Sequence, residues 1–396
     1  MSVLFEKTEI KGMELKNRLV RSATYEGMAD ENGFPTENLF ELYERLSQGG
    51  VGLITTGLSF VSRDGKMDAM NGIDSDEHIT KYRELVNLVH KNGSKIAMQI
   101  AHCGRQTSAE MIKTQPVAPS AVKENVFQVK PREMTEQDIE RIIEAFGEAS
   151  RRVKASNFDA VQIHGAHGYL INGFLCPHTN RRKDKWGGSI ENRMRFVEEI
   201  YNLCREKVGD DYPILIKISA YDNMKKGLKK EEGVIMAEMM ADMGFDGIEV
   251  SCGIMEDGGS TARGDFPIDV ILETFPMYKN KNAFFHFMMR HFGEKLIKPV
   301  PFTQAFNRDS AKEIKSKINI PVFLVGGMID PKVMEGVVEK GDADYISLSR
   351  ALINNPKFPK KIQEGSRELS KCLRCNLCFA CMFSEPLHCY HGKRKE

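Results

Sequence analysis

The sequence has no uninterrupted apolar run long enough to span a bilayer, and its first residues lack the basic-then-apolar pattern of a secretion signal. Charges of the two signs nearly balance, with 56 Lys and Arg residues against 55 Asp and Glu residues, and no basic stripe is interleaved with aromatic residues. We therefore expect neither a membrane nor a nucleic acid as a partner. Repeats of solenoid period are also absent. The expected compartment is a reducing cytoplasm.

Cysteine is sparse until the end of the chain. Four of the nine cysteines are scattered and are interpreted as ordinary buried thiols, namely Cys103, Cys176, Cys204 and Cys252. The other five follow residue 371, and the spacing Cys372-x2-Cys375-x2-Cys378 allows one chain to wrap three corners of an iron–sulfur cube. At this density in a cytosolic enzyme, metal or cluster ligands are favoured over disulfides. Zinc is the inorganic alternative, because four thiolates also satisfy tetrahedral Zn²⁺.

Short β-branched or apolar runs recur along the chain, each followed by an amphipathic segment. The predicted strands are 18–22, 51–56, 95–100, 160–163, 213–219, 247–251, 321–325 and 344–348. The predicted helices are 37–48, 76–91, 135–156, 190–208, 230–243, 309–317 and 331–339. This alternation predicts an α/β fold, a (β/α)8 TIM barrel, in preference to a doubly wound sheet. Long insertions at 103–131 and 252–304 follow strands three and six, where they would lie over the catalytic face.

Polar side chains cluster where predicted strands end. On a continuing strand, His164 and His167 would point to opposite faces, so a shared target requires a turn after His164. Gly165 and Gly168 permit such a turn. Two imidazoles on one turn can donate to a carbonyl oxygen or an oxyanion, or can bind a metal.

Glycines and an arginine follow the last two predicted strands. Loops at these positions commonly form the phosphate site of a barrel, using backbone N–H groups. Gly326 and Gly327 allow the backbone to approach a phosphate, and Arg350 can supply a bidentate charge.

Several motifs occur together in one order along the chain. They are Leu15-Lys-Asn-Arg18, Gln99-Ile-Ala-His102-Cys-Gly104-Arg105-Gln106, His164-Gly-Ala-His167-Gly-Tyr169-Leu170, Gly187-Gly-Ser-Ile-Glu191-Asn-Arg193 and Gly326-Gly327. This set resembles the Old Yellow Enzyme family of FMN-dependent oxidoreductases. The cysteine tail resembles the branch that contains 2,4-dienoyl-CoA reductase and trimethylamine dehydrogenase. In that branch a 4Fe–4S cluster follows the barrel, and further domains, which this sequence lacks, follow the cluster.

The resemblance implies two units, an FMN-binding barrel over residues 1–365 and a cluster-binding tail over residues 366–396. The residues that it implies for cofactor binding are Ala23, Thr24, Gly57, Gln99, Lys217, Gly326, Gly327, Ser349 and Arg350. The cluster ligands that it implies are Cys372, Cys375, Cys378 and Cys389. The spacing departs from that branch, and Cys381 is an alternative ligand.

The resemblance also implies roles for individual side chains. Gln99 matches the glutamine that hydrogen-bonds the flavin pyrimidine edge, and Lys217 stands where the family usually has an arginine beside flavin N1. His164 and His167 match the pair that polarises the substrate carbonyl. Tyr169 matches the tyrosine that protonates the alkene carbon next to that carbonyl.

The function that follows from the resemblance is an FMN-dependent ene-reductase, which transfers hydride from NAD(P)H through flavin N5 to an α,β-unsaturated carbonyl compound. Three alternatives stay open. The chain could be an amine dehydrogenase or demethylase, or a flavin- and cluster-bearing electron-transfer subunit that works with an external electron-transfer protein. A metal-dependent lyase that uses His164 and His167 as ligands is the third.

Overall fold

Eight parallel strands form a closed barrel in the computed structural model, which describes residues 2–257, 259–297 and 299–393. The strands are β1 (Leu19–Arg21), β2 (Leu53–Phe60), β3 (Lys95–Ala101), β4 (Ala160–Gly165), β5 (Ile214–Ser219), β6 (Gly247–Ser251), β7 (Val322–Val325) and β8 (Tyr345–Leu348). Each strand pairs with the next along the chain, and β8 pairs with β1 to close the barrel. The predicted fold class is confirmed. The last three residues of the predicted tail, 394–396, lie outside the described residues.

Helices alternate with the strands on the outside of the barrel. They are Glu37–Gln48, His78–Lys91, Glu136–Ala155, Ile190–Val208, Lys230–Met243, Arg308–Lys315 and Pro331–Glu339. The helix Glu136–Ala155 shows why these segments fold locally. Thr135 caps its first turn by accepting from the N–H of Asp138, and the buried residues Ile139, Ile142 and Phe146 recur at helical spacing on one side.

The two ends of the barrel differ in polarity. A short hairpin of Thr8–Ile10 and Met13–Leu15 covers the amino-terminal end of the strands. Its apolar residues pack with those of the lower barrel in one buried cluster, formed by Ile10, Met13, Leu15, Val20, Leu53, Ala97, Ala160, Leu215, Phe323 and Tyr345. This end is therefore closed to polar ligands, and the carboxyl ends of the strands are left to carry the site.

Two insertions and the tail lie over the carboxyl end of the barrel. The insertion after β3 includes Ala109–Ile112 and the paired segments Val117–Ala118 and Arg132–Glu133, and the insertion after β6 includes the helices Ile268–Thr274, Pro276–Lys279 and Ala283–Ile297. A buried ion pair between Arg105 and Glu256 joins the two insertions. No helix within the described ranges is long and apolar enough to cross a membrane.

Backbone hydrogen bonds attach the tail to the rest of the molecule. The N–H of Asp265, in the insertion after β6, donates to the carbonyl of Arg374 at 3.1 Å, and the N–H of Leu387 donates to the carbonyl of Glu26 at 2.7 Å. After β8 the chain forms Arg350–Asn354 and Phe358–Gln363, and the tail adds Leu377–Ala380. The cysteine-rich segment therefore packs against the mouth of the barrel.

Glu26 is a buried carboxylate that ties several elements together just after β1. Its side chain accepts hydrogen bonds from Arg21 at 2.9 Å, Tyr43 at 2.6 Å, the N–H of Gly57 at 2.8 Å and Asn71 at 3.0 Å. The side chains of Arg21 and Glu26 are only 4% and 2% exposed. Removing one partner of a buried ion pair leaves the other charge without compensation. The resulting loss of stability is much larger than the net stabilisation that the intact pair provides.

We predict that Glu26→Gln lowers the free energy of unfolding by about 3–5 kcal/mol, because Arg21 then keeps a buried charge without a carboxylate. Urea denaturation followed by circular dichroism measures the change. Glu41→Gln, at an exposed position of the neighbouring helix, is the control and should change the free energy by less than about 0.5 kcal/mol. Equal effects of the two substitutions would contradict the structural role of Glu26.

Candidate functional site

A cavity with about 1290 Å³ of empty space, part of it open to solvent, lies at the carboxyl ends of the strands. The sequence-predicted residues that line it are Ala23, Thr24, Gln99, His164, His167, Tyr169, Lys217, Gly326, Gly327, Ser349 and Arg350. Gly57 is not among the lining residues. A Cβ atom at Gly57 would lie 2.0 Å from a carboxylate oxygen of Glu26, so close packing on Glu26 accounts for this glycine.

The two histidines share one target region because the chain turns between them. His167 and Gly168 adopt left-handed backbone angles, with φ of 63° and 83°. The imidazole rings meet edge to face with their centroids 5.2 Å apart, and the Tyr169 ring lies 4.9 Å from that of His164. His167 Nε2 is 2.7 Å from the Ser251 hydroxyl. The predicted turn after His164 is confirmed by this geometry.

The protonation states of these side chains follow from their burial. Burial, followed by the nearby charge of Lys217, holds the pKa of both His164 and His167 well below the ordinary value. Burial also raises the pKa of Tyr169 well above its ordinary value. At neutral pH the cavity therefore presents two neutral imidazoles and a protonated phenol, all of which can donate hydrogen bonds without carrying charge.

His164 has an unsatisfied atom in this arrangement. Its Nδ1 is buried and has no hydrogen-bond partner among the described residues. Since an unpaired buried polar atom costs about 1–3 kcal/mol, Nδ1 of His164 marks a position that a ligand oxygen would complete.

A row of polar side chains crosses the floor of the cavity. Gln99 donates to Gln162 at 2.7 Å, Gln162 donates to Glu249 at 3.1 Å, and Glu249 lies 3.6 Å from the Lys217 ammonium. Lys217 also donates to the Ser22 hydroxyl at 2.8 Å. Burial lowers the pKa of Lys217, and the Glu249 carboxylate opposes that shift. The row fixes Gln99 and Lys217 in position before any ligand binds.

The sequence analysis missed Gln162 and Glu249. Both carried a signal, because Gln162 lies two residues before His164 and so shares its face of the strand. Glu249 is the direct neighbour of Lys217 in the register between β5 and β6. A lysine predicted inside a barrel requires a counter-charge on an adjacent strand.

Gly326 and Gly327 line the cavity, and their packing adds a second reason for glycine. Both have positive φ angles, of 127° and 69°. A Cβ atom would lie 2.7 Å from the Phe306 ring at Gly326 and 2.4 Å from the Thr303 carbonyl at Gly327. The segment that precedes β7 therefore packs directly on this turn, while the other side of the turn faces the cavity.

Arg350 is a largely buried cation without a carboxylate partner. Its Nη1 donates to the carbonyl of Arg263 at 2.7 Å and to the side-chain oxygen of Asn376 at 2.6 Å. No Asp or Glu side chain in the described ranges lies within ion-pair distance of it. Burial lowers the pKa of Arg350, and nearby cysteines oppose that shift. A buried cation of this kind favours anions next to it, such as a phosphate or thiolates.

The predicted cluster ligands converge beside Arg350. Cys372, Cys375, Cys378 and Cys389 line one cavity with about 360 Å³ of empty space, and Arg350 lines both this cavity and the larger one. Cys381 is fully buried and is not among the lining residues. The spatial grouping therefore favours Cys389 over Cys381 as the fourth member of the set.

The loop that carries the first three thiols has a left-handed backbone at two positions. Arg374 and Asn376 have φ angles of 64° and 55°. The Asn354 side chain donates to the sulfur of the fourth cysteine, Cys389, at 3.5 Å.

Nowhere in residues 2–257, 259–297 and 299–393 do three or more His, Cys, Asp or Glu side chains approach closely enough to hold one metal ion. Neither zinc in the tail nor a metal at His164 and His167 is therefore supported. Thiolates on four separate irons lie farther apart than the ligands of one ion, so this finding does not address a cluster.

Comparison with known proteins identifies the barrel. The model of the NADH:flavin oxidoreductase / NADH oxidase family matches residues 3–271 and 277–368. The chain belongs to this family. The resemblance to the Old Yellow Enzyme family is confirmed, and FMN is the cofactor that fits the barrel. The buried cation of Lys217 and the cation of Arg350, which has no carboxylate partner in the described ranges, would suit a flavin and its phosphate.

Individual relatives agree with this assignment. The chain is 37% identical over 380 residues to an NADH oxidase of Thermoanaerobacter brockii, covering 94% of this chain and 53% of that protein. It is 34% identical over 360 residues to an NADPH dehydrogenase of a Geobacillus species, covering 90% and 93% of the two chains. A complex of 2-naphthoyl-CoA reductase with 2-naphthoyl-CoA superposes with a TM-score of 0.84 at 26% identity, over 98% of this chain and 56% of that chain. The chain thus spans about half the length of the first and third of these proteins.

We predict that heat-denatured protein releases FMN and no FAD, and that Arg350→Gln weakens FMN binding by about 10- to 100-fold, because it removes a charge-assisted bond to the phosphate. Flavin fluorescence during titration of the apoprotein measures the affinity. Arg367→Gln, which removes an exposed arginine paired with Glu335, is the matched control and should bind FMN normally. Release of FAD, or an unchanged affinity in Arg350→Gln, would contradict the assignment.

Proposed function

We propose that the chain is an FMN-dependent ene-reductase that uses NAD(P)H to reduce an α,β-unsaturated carbonyl compound. The observation that carries this proposal is the unpaired Nδ1 of the uncharged His164, with the Tyr169 ring 4.9 Å from the imidazole. A carbonyl oxygen is the natural partner for neutral imidazole donors. Turnover of a simple enone, with formation of the saturated ketone, is the direct test.

Different side chains of the protein have different roles in the proposed reaction. FMN, when bound and reduced, supplies a hydride from N5 to the β carbon of the alkene. His164 and His167 hold the carbonyl oxygen and stabilise the negative charge that develops there. Tyr169 gives its proton to the α carbon, and solvent returns a proton to the phenolate. The alkene thereby gains one hydride and one proton. Lys217 and Gln99 are the residues that would hold the flavin ring, at its N1 and its pyrimidine edge.

Amine oxidation fits this cavity less well. A substrate amine enters as an ammonium ion, whereas the cavity already holds Lys217, whose charge adds to burial in lowering the pKa of both histidines. An ammonium ion only donates hydrogen bonds, so imidazoles that also act as donors stabilise it poorly. The polarity of the donors therefore favours a carbonyl substrate.

We predict that Tyr169→Phe slows oxidation of the reduced flavin by an enone by about 10²- to 10⁴-fold, because only this half-reaction needs the tyrosine proton. Reduction of the flavin by NAD(P)H should change little. Anaerobic stopped-flow absorbance measures the two half-reactions separately. Tyr25→Phe is the matched control, since Tyr25 lines the same cavity but donates its hydroxyl to the Asp68 carbonyl. Equal slowing of both half-reactions by Tyr169→Phe would show that the residue is not the acid.

The tail over residues 366–396 is proposed to bind a 4Fe–4S cluster beside the FMN barrel of residues 1–365. Support comes from the four thiols around one cavity, from the side-chain N–H that Asn354 donates to Cys389 and from the adjacent cation of Arg350. Such a cluster exchanges single electrons. An external electron-transfer protein is therefore proposed as a second redox partner besides NAD(P)H.

We predict that Cys389→Ser lowers the content of iron and acid-labile sulfide to less than about half of the wild-type value, because it removes one of four ligands. Cys381→Ala is the control at the nearby buried cysteine and should keep the full content. Colorimetric iron and sulfide assays on anaerobically purified protein decide between them. Loss of iron in Cys381→Ala alone would exchange the two assignments, and iron-free wild-type protein after anaerobic reconstitution would contradict the cluster.

A further inference from the structure

Two exposed leucines lie at the surface outside the cysteine cavity. Leu369 and Leu373 are each 51% exposed, and they lie on either side of the first predicted ligand, Cys372, and its neighbour Lys371. We propose that Lys361, Leu369, Lys371 and Leu373 form a docking surface for an acidic one-electron carrier protein, such as a ferredoxin. We call these four residues the tail face. The inference rests on the proposed cluster, to which such a carrier would give its electrons.

The charge of this region indicates the sign of the partner. Residues 357–374 contain six basic and two acidic residues, whereas the whole chain has a formal net charge of only +1. Within the described part of the chain, neither Lys361 nor Lys371 has a carboxylate partner. Unpaired lysines around apolar side chains attract an acidic surface and orient it, and they raise the rate of association at low salt.

The tail face borders the thiols directly. Lys371 and Leu373 line the cavity of the four cysteines, and Lys361, Leu369 and Lys371 line a smaller groove next to it. A carrier seated on this face would thus be separated from the cysteine cavity by one layer of side chains. Transient electron-transfer complexes bury less than about 1,200 Å² of surface in total, so a small docking surface is sufficient.

The number of electrons that the reaction needs determines how many carrier molecules it consumes. A carrier of this class gives up one electron at each docking event. Reduction of one carbon–carbon double bond takes two electrons and two protons, so it would consume two reduced carriers, with the protons drawn from solvent. The carrier must therefore dissociate and be replaced between transfers, as expected for a small, charge-steered interface.

Another exposed apolar patch provides a built-in comparison. The helix Ala283–Ile297 carries Phe284, Phe287 and Phe292, which are 71%, 52% and 42% exposed. It belongs to the insertion after β6, and none of the three aromatic residues lines the cysteine cavity. If apolar exposure alone attracted the carrier, this helix would bind it as well as the tail face does.

The test measures binding of an acidic bacterial ferredoxin to the FMN- and iron-loaded protein by isothermal titration calorimetry, at about 20 mM and about 500 mM salt. The charge variant is Lys361→Glu/Lys371→Glu. Its matched control is Lys317→Glu/Lys340→Glu, which makes the same change in net charge at two exposed lysines that precede β7 and β8 at the opposite end of the barrel. The apolar variants are Leu369→Ser and, for comparison, Phe284→Ser/Phe287→Ser.

We expect the dissociation constant to rise at least about 10-fold in Lys361→Glu/Lys371→Glu at low salt, and the difference from wild type to shrink at high salt. Leu369→Ser should weaken binding at both salt concentrations, and both comparison variants should bind as wild type does. Absence of binding by wild-type protein, equal losses in the two charge variants, or loss only in Phe284→Ser/Phe287→Ser would each overturn the proposal. NAD(P)H-driven enone reduction by the same variants is measured in parallel, so failure of the proposed enzyme activity is recognised separately from failure of docking.

Discussion

Lys217 is a buried cation at the mouth of a barrel whose other end is filled with apolar side chains, and the chemistry of the site depends on it. Its side chain is nearly inaccessible to solvent. Among the residues that the structure describes, only the Glu249 carboxylate, at 3.6 Å, compensates its positive charge. Burial and this same charge together keep His164 and His167 neutral. One lysine therefore helps the histidines to act as neutral hydrogen-bond donors, and it would place a positive charge beside a bound flavin.

Arg350 is a second largely buried cation, and it lines the cavities of both the barrel and the tail. Because no carboxylate compensates it within the described ranges, the free energy of this side chain depends on the anions that occupy the cavities on its two sides. The guanidinium lies between the two cavities, where a flavin phosphate and a thiolate-bound cluster, both anionic, would compensate its charge.

Much of the fold was predictable because its elements are periodic and their ends are marked by local signals. The helices Glu37–Gln48 and Ile190–Val208 have the bounds that were predicted, since apolar periodicity and flanking glycines define them. The strand β2 continues to Phe60, whereas its predicted end was residue 56. The prediction stopped there because Gly57 interrupts the apolar pattern. This glycine is required by close packing on Glu26, which is distant in the sequence. The helices Ile268–Thr274, Pro276–Lys279 and Ala283–Ile297 of the insertion after β6 were not predicted. The first of them packs on the distant tail, where Ile271 and Phe275 form a buried cluster with Ala380.

The site was predictable where a motif is contiguous and unpredictable where contacts are long-range. The segment from His164 to Tyr169 carries its own turn, so its residues could be placed together from the sequence alone. Gln162 shares the strand face of His164 but no motif marks it, and Glu249 belongs to the site through the register between neighbouring strands. The grouping of Cys389 with three cysteines more than ten residues earlier likewise depends on the path of the tail.

The most direct test of the proposed chemistry is a single turnover of the NAD(P)H-reduced protein with 2-cyclohexenone in D2O under anaerobic conditions. We predict that the flavin is reoxidised and that one equivalent of cyclohexanone per flavin forms, with deuterium at the α carbon from Tyr169. A flavin that stays reduced, or cyclohexanone without deuterium at the α carbon, would contradict the roles proposed for the flavin edge, the histidines and the tyrosine.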